Sequence, residues 1–247
     1  MPNRDVDILR YLRSEAFDGT AASEVDLELL HRLRTSAFDW FRIKGVPPFF
    51  RPSQIRDFGL TPHHLPALIR SGAIERVARG VYHLVNEGRG QHFLLAAACA
   101  VSSGSIVCLH SALRVHGIRS QVAAIVWLAI PQRARAPRLR NLPLRIVRFS
   151  GTAWSFRVSP TEIDGVPALI TSPARTVADC FRLARQAGPD AGIEAFKDGL
   201  SKGLVTLEEL ARIETALPCR RLRALLAWHA QTPPGGELRP ERSLSRT

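Results

Sequence analysis

The chain has 247 residues, 45% of them hydrophobic, with 34 basic and 22 acidic side chains and a net charge of +12. That apolar content can build a sizeable core and argues against global disorder, and the length suits one large domain or two small ones. The longest apolar runs, at 93–101 and 122–130, are too short to cross a bilayer as helices. The charge favours polyanionic partners. Its arginine dominance, with only Lys44, Lys197 and Lys202 as lysines, fits phosphate forks and GC-rich coding equally. Cys99, Cys108, Cys180 and Cys219 lie far apart with no Cys-x-x-Cys pair, so neither a zinc site nor a redox motif is supported. The first residues, Met-Pro-Asn-Arg-Asp-Val-Asp, lack the apolar core of a signal peptide. The expectation is a cytoplasmic protein with no membrane contact, no metal and no cofactor.

Residues 1–23 read as a short helical extension closed by Gly19-Thr20. Residues 24–43 predict a helix with Val25, Leu29, Leu30, Leu33, Phe38 and Phe41 on its apolar stripe, ended by Lys44-Gly-Val-Pro-Pro48. The next stretch, 52–85, is the most informative. Ser53 can cap a short helix through Gln54 to Asp57, which Gly59 ends. Thr61 before Pro62 opens a second helix. In it Leu65, Leu68 and Ile69 form an apolar stripe, and His63, His64, Ala67 and Arg70 face outward. Pro66 disagrees with a helix starting at Pro62: either the helix begins about a turn later or its first turn is distorted. Ser71-Gly72 stops it. Residues 74–77 and 81–85 suit two strands, with Arg79 at the tip of the turn between them.

Helix, tight turn, helix and basic hairpin in that order is the pattern of a winged helix-turn-helix. Such a second helix enters the major groove, and a wing arginine can reach backbone or minor groove. The DNA-contacting candidates are Arg56, His63, His64, Arg70, Arg76 and Arg79. The same pattern also fits a helix–hairpin packing motif with solvated charges.

Residues 86–90 read as a flexible junction. Beyond it, 91–102 is an Ala-rich helix, and a helix carrying Val107, Leu109, Ala112, Leu113 and His116 stops at Gly117. A buried strand is expected over 122–130, a half-exposed one over 142–149, and loop then strand over 160–169 with Asp164-Gly165 as a turn. Helices follow from Ser172-Pro173 to about Ala187, over 191–202, and from a Thr206–Glu209 capping box. Residues 231–247 read as a mobile tail. The segment 131–148 holds Arg133, Arg135, Arg138, Arg140, Arg145 and Arg148 and no acid. It reads either as a second phosphate-contacting patch, to DNA or RNA, or as a solvated loop whose arginines guard a sheet edge.

No catalytic set stands out. Gly104-Ser105 is not followed by paired aspartates. Glu162 and Asp164 are better explained by a turn. Glu194 and Lys197 read as a helix-surface ion pair next to Asp190. His110, Ser111 and Asp179 resemble a hydrolase set only in composition, and no P-loop or Gly-x-Gly-x-x-Gly occurs.

Three segments carry a resemblance. They are Glu75-Arg-Val-Ala-Arg-Gly-Val-Tyr-His-Leu84, Leu109-His-Ser-Ala-Leu-Arg-Val-His-Gly-Ile118 and Leu169-Ile-Thr-Ser-Pro-Ala-Arg-Thr-Val-Ala-Asp179. In order and spacing they resemble the AbiEi-family antitoxins of type IV toxin–antitoxin systems. The resemblance covers about 48–185, and Ser172, Pro173, Arg175 and Asp179 lie in its most specific block. It implies an α+β protein: an N-terminal winged helix-turn-helix followed by a mixed α/β C-terminal domain. The expected boundaries are 1–23 extension, 24–88 DNA-binding domain, 89–230 C-terminal domain and 231–247 tail. It implies a non-enzymatic autorepressor that binds inverted repeats of double-stranded DNA in its own promoter, with room for a dimer there. It also implies an antitoxin that acts without a stable complex with its toxin. His63, His64 and Pro66 depart from the usual recognition-helix texture. For Arg175, in a first helical turn, the sequence suggests an acidic partner in Asp179 at i+4, or a phosphate-binding role. An RNA- or protein-binding module, or a metal-dependent nuclease or nucleotidyltransferase, are the alternatives to DNA repression.

Overall fold

A computed structural model describes residues 24–85, 89–118, 125–137 and 143–231, with side chains from residue 32 onward. The extension expected over 1–23, the tail beyond residue 231, part of the junction, and Arg138 and Arg140 lie outside the described residues. The chain is mixed α/β.

Helix α1 spans Glu24–Lys44 and is followed by a short strand β1, Phe49–Phe50, which the sequence reading missed. From α1, Leu33, Ala37, Trp40 and Phe41 are buried. A 3-10 turn at Gln54–Phe58 buries Ile55 and is closed by Gly59 at φ 82°. Ser53 makes no side-chain cap there, contrary to expectation. A second 3-10 turn, Pro62–His64, runs into helix α2, Leu65–Arg70. The Pro66 conflict is thereby resolved. The α-helix begins late, and Pro66 falls in its first turn, where a missing N–H leaves nothing unpaired.

The buried face of α2 also differs from the expected stripe. Ala67, expected outside, is buried at 8% exposure, and Ile69, expected in the apolar stripe, is 40% exposed. Leu65, Ala67 and Leu68 define the buried arc of α2, and at about 100° per residue Ile69 falls outside it.

Strands β2, Ile74–Ala78, and β3, Val81–Leu84, form the expected hairpin, and β1 pairs on the far side of β3 to give the order β1-β3-β2. All four residues of β3 are buried. Alternation sends Tyr82 and Leu84 to one face, where they join Phe50, Ile74, Leu65, Leu68 and the buried residues of α1. Val81 faces the other way with Phe49, into a cluster built on helix α3, Phe93–Val101. His83 lies on that second face too, its ring 4.7 Å from Phe49 and 4.9 Å from Phe93.

The second sheet has the order β6-β5-β4-β8-β7. Its strands are β4 Ile106–Val107, β5 Val126–Pro131, β6 Leu144–Phe149, β7 Val158–Ile163 and β8 Val166–Thr171. The pairs β4–β8 and β5–β6 are parallel, and β4–β5 and β7–β8 antiparallel. Val107 was expected in a helix. Instead Ile106 and Val107 form the central strand, and helix α4 spans Leu109–Val115. Two β-branched residues suit a doubly buried strand, and Leu109 at φ 45° makes the corner into the helix. The expected loop at Pro160 is part of β7, an edge strand, where a proline is tolerated. Asp164 and Gly165 both have positive φ, 43° and 76°, as a two-residue hairpin turn of the mirror-image type demands.

Helix α3 covers one face of this sheet through Val107, Val126, Leu128 and Ile170. A four-residue helix α5, Thr152–Ser155, links β6 to β7. The other face carries α4, α6 (Pro173–Arg182), α8 (Ala191–Ser201), α9 (Leu207–Ala216) and α10 (Arg220–Gln231) around Trp127, Phe149, Val177 and Phe196. The single helix expected to reach Ala187 breaks at Leu183, and a separate turn, α7, covers Ala184–Ala187. Thr206 and Glu209 form the expected capping box of α9. Among the described residues no helix is long and apolar enough to cross a membrane.

Helix α3 therefore separates the two sheets and packs on both. Arg51 reinforces the joint by donating to the carbonyls of Ala100 and Val101 at 2.8 and 3.2 Å, at the end of α3. The backbone N–H of His92 donates to the Asp164 carboxylate at 2.9 Å. Phe49 is 6% exposed within this joint. Phe49→Ala should cost about 3–5 kcal/mol in urea denaturation of the whole chain. A loss below about 1 kcal/mol would show that α3 and the first sheet do not share a core.

Candidate nucleic-acid interface

The N-terminal module presents its cations from both 3-10 turns, α2 and the hairpin. Arg56, His63, Arg70, Arg76 and Arg79 are all exposed. Arg76 stands directly across from Tyr82. It therefore lies on the sheet face that packs α1 and α2, beyond the cover those helices provide. Arg79 and Gly80 form the hairpin tip, with Gly80 at φ 73°, a conformation that strains any other residue. The 40% exposed Ile69 lies among these cations on α2. Asp57 is the acid next to Arg56, and it too is exposed.

His64 is placed differently from His63. It is half-buried, and its Nδ1 accepts a 3.1 Å hydrogen bond from the Thr61 N–H. That bond requires the proton on Nε2 in the neutral ring. His64 thus takes the part that Glu or Gln has in a capping box. The spacing Thr-x-x-His carried that signal, but histidine is not the residue the motif names.

Glu75 is on the opposite face of β2 from Arg76. It accepts from Arg89 at 3.2 Å and contacts His83 Nδ1 at 3.1 Å. This acid is held at the α3 side, away from the exposed arginines.

In the second basic segment, Arg133 and Arg135 are exposed just beyond β5. Arg148 is structural. Its Nη1 donates to the carbonyls of Gln132 at 2.7 Å, Ala134 at 3.0 Å and Pro131 at 3.3 Å, and so pins the loop that carries Arg133 and Arg135. Arg145 lies 5.5 Å over the Trp127 ring.

The Ser-Pro-Ala-Arg-Thr block proves to be internal architecture. Ser172 caps α6 by accepting from the Arg175 N–H at 3.3 Å. Arg175 and Asp179 are both fully buried. Arg175 Nε donates to Asp179 at 2.8 Å, Nη1 to the Phe156 carbonyl at 2.6 Å and Nη2 to the Ala153 carbonyl at 3.0 Å. Its guanidinium lies 5.2 Å over the Phe149 ring. Asp179 also accepts from Arg182. With its donors directed inward, Arg175 has no face left for phosphate, so the acidic-partner reading describes it. The arrangement ties the segment after β6 to the start of α6.

The residues that composition grouped as a hydrolase set are spent separately. The His110 ring donates from Nε2 to the Ala187 carbonyl at 2.7 Å, and Ser111 Oγ accepts from the Trp127 N–H at 2.8 Å. His116 Nε2 meets the Thr171 carbonyl at 2.7 Å, and burial holds its imidazole below the usual range. Lys202 pairs with Asp198 at 2.8 Å, where the sequence suggested Lys197 with Glu194. Burial pushes the Cys99 thiol up to about 12 and the Cys108 and Cys180 thiols well above their ordinary value. These three are inert core residues. Among the described residues no cluster could hold a metal ion.

Residues 41–85 match the family described as Transcriptional regulator, AbiEi antitoxin. The match covers the end of α1, the two 3-10 turns, α2 and the whole hairpin, and it is the family that the three motifs resemble. No curated protein matches the chain.

Arg175→Ala would leave Asp179 buried with only Arg182 beside it, at an expected cost of about 3–5 kcal/mol. Arg175→Met with Asp179→Leu should recover most of that loss, because an apolar pair of similar volume removes both charges together. Urea midpoints of the two variants provide the measurement. A double variant no more stable than Arg175→Ala would show that the bonds to Phe156 and Ala153, not the ion pair, dominate.

Proposed function

We propose that this chain is a DNA-binding transcriptional repressor of the antitoxin class, and that residues 24–88 act as a winged helix-turn-helix. The observation that carries the reading is the coincidence of two things on one segment. The family match at 41–85 falls on the helix–turn–helix–hairpin, and that segment exposes Arg56, His63, Arg70, Arg76 and Arg79. In this reading α2 enters the major groove and the Arg79 tip follows the backbone or the minor groove. Arg56, Arg70, Arg76 and Arg79 neutralise phosphates, and His63 reads base edges. His64 sets the start of α2 at the DNA-facing end of the helix.

Arg133 and Arg135 would extend the electrostatic footprint to flanking DNA, and Arg138 and Arg140 belong to the same segment. Residues 89–230 act as the second domain, carried with the DNA-binding module by their shared packing on α3. As a type IV antitoxin, the protein would repress its own promoter at inverted repeats in the cytoplasm. It would counter its toxin without a stable complex and without catalysis.

Arg79→Ala tests the wing. It should weaken binding to specific and random duplexes alike and make the slope of log K against log salt shallower by about one. An unchanged slope would remove Arg79 from the interface.

A further inference from the structure

A cleft of about 640 Å³ opens far along the chain from the winged module, where the end of α6, the turn α7 and the start of α10 meet. One wall is apolar, from Phe181, Leu183 and Pro189. The polar lining is Gln186, Arg182, Arg185 and Arg221. Arg182 is committed to Asp179, which also neutralises Arg175. Arg185 and Arg221 are exposed, and among the described residues neither makes an ion pair. Their neighbour Arg223, by contrast, is paired with Glu214 at 2.7 Å. The nearest acid in sequence is Asp190, which follows Pro189 and begins α8.

Arg185 and Arg221 both line the cleft, and no acidic residue among its described lining offsets their charge. Guanidinium forks suit phosphate oxygens, and their planes also stack on flat rings. The volume falls in the range of small-molecule sites, and an apolar wall with a few convergent polar groups is their usual make-up. Gly188, at φ 103°, turns the chain between α7 and Pro189 and shapes the rim.

We propose that this cleft binds a small phosphate ester of mononucleotide size. Its phosphate sits on Arg185 and Arg221, its flat ring lies against the Phe181–Leu183–Pro189 wall, and Gln186 offers an amide to the ring edge. The proposal does not rest on the DNA-binding reading, because the two sites share no residue.

The test uses the full chain, AMP and inorganic phosphate, followed by isothermal titration calorimetry. AMP should bind saturably at one site per chain, with phosphate alone at least about tenfold weaker because it lacks the ring. Arg185→Ala with Arg221→Ala should weaken AMP at least about tenfold, since each charge-assisted hydrogen bond lost is of that order. Both side chains are exposed, so the melting temperature should not move. Binding to duplex DNA should not move either. Absent saturable AMP binding, equal affinity for AMP and phosphate, or unchanged AMP affinity in the double variant would each overturn the proposal. A double variant that loses DNA affinity and salt slope, with AMP silent in both proteins, would assign the arginines to a nucleic-acid backbone instead.

Discussion

Strand β3 is where the chain's two halves depend on each other. Its four residues serve two cores at once, Tyr82 and Leu84 toward α1 and α2, Val81 and His83 toward α3. A strand with one solvated face would alternate apolar and polar residues. Val-Tyr-His-Leu does not alternate, because no face of it is wet. The consequence reaches the outer surface. With one sheet face on the N-terminal helices and the other on α3, the tip at Arg79 and the margin at Arg76 are what the hairpin leaves exposed. The joint at α3, sealed by Arg51 and Asp164, fixes that tip relative to the second sheet.

Charge follows the same division. The acid of the hairpin, Glu75, is turned toward α3 and taken up by Arg89 and His83. In the C-terminal region the buried acid Asp179 is taken up by Arg175 and Arg182. Glu75 and Asp179 are thus taken up in internal contacts, while Arg56, Arg70, Arg76, Arg79, Arg133 and Arg135 stay at the surface. The net charge of +12 is in this way directed outward, and long-range attraction of a polyanion is the physical result.

Much of this was legible in the sequence, for local reasons. Gly59, Ser71-Gly72, Asp164-Gly165, Ser172-Pro173 and Thr206–Glu209 are stops, turns and caps whose chemistry acts within a few residues. Each marks an element boundary in the structure. What was not legible depends on contacts distant in sequence or on helix type. Which side of the short helix α2 meets the core is set by the elements packed on it, and that side takes Ala67 and leaves Ile69 exposed. Strands β1 and β4 are two residues each, too short to show a period, and exist because neighbours pair with them. The bonds of Arg148 to the 131–134 loop and of Arg51 to the end of α3 join residues distant in sequence, and an arginine-rich sequence reads the same whether its cations bond the chain or face solvent. Arg175 and Asp179 could be paired from their i,i+4 spacing, but their complete burial could not be read from it.

In the proposed reading the exposed cations of 41–85 serve a specific DNA site and not polyanions in general. The most direct measurement is the affinity of the purified chain for the DNA upstream of its own gene against a scrambled duplex, at two salt concentrations. A specific repressor should show a specificity ratio of at least about a thousandfold that persists at the higher salt. Equal binding to both duplexes, lost together as salt rises, would mean that charge alone holds the DNA and would overturn the repressor reading.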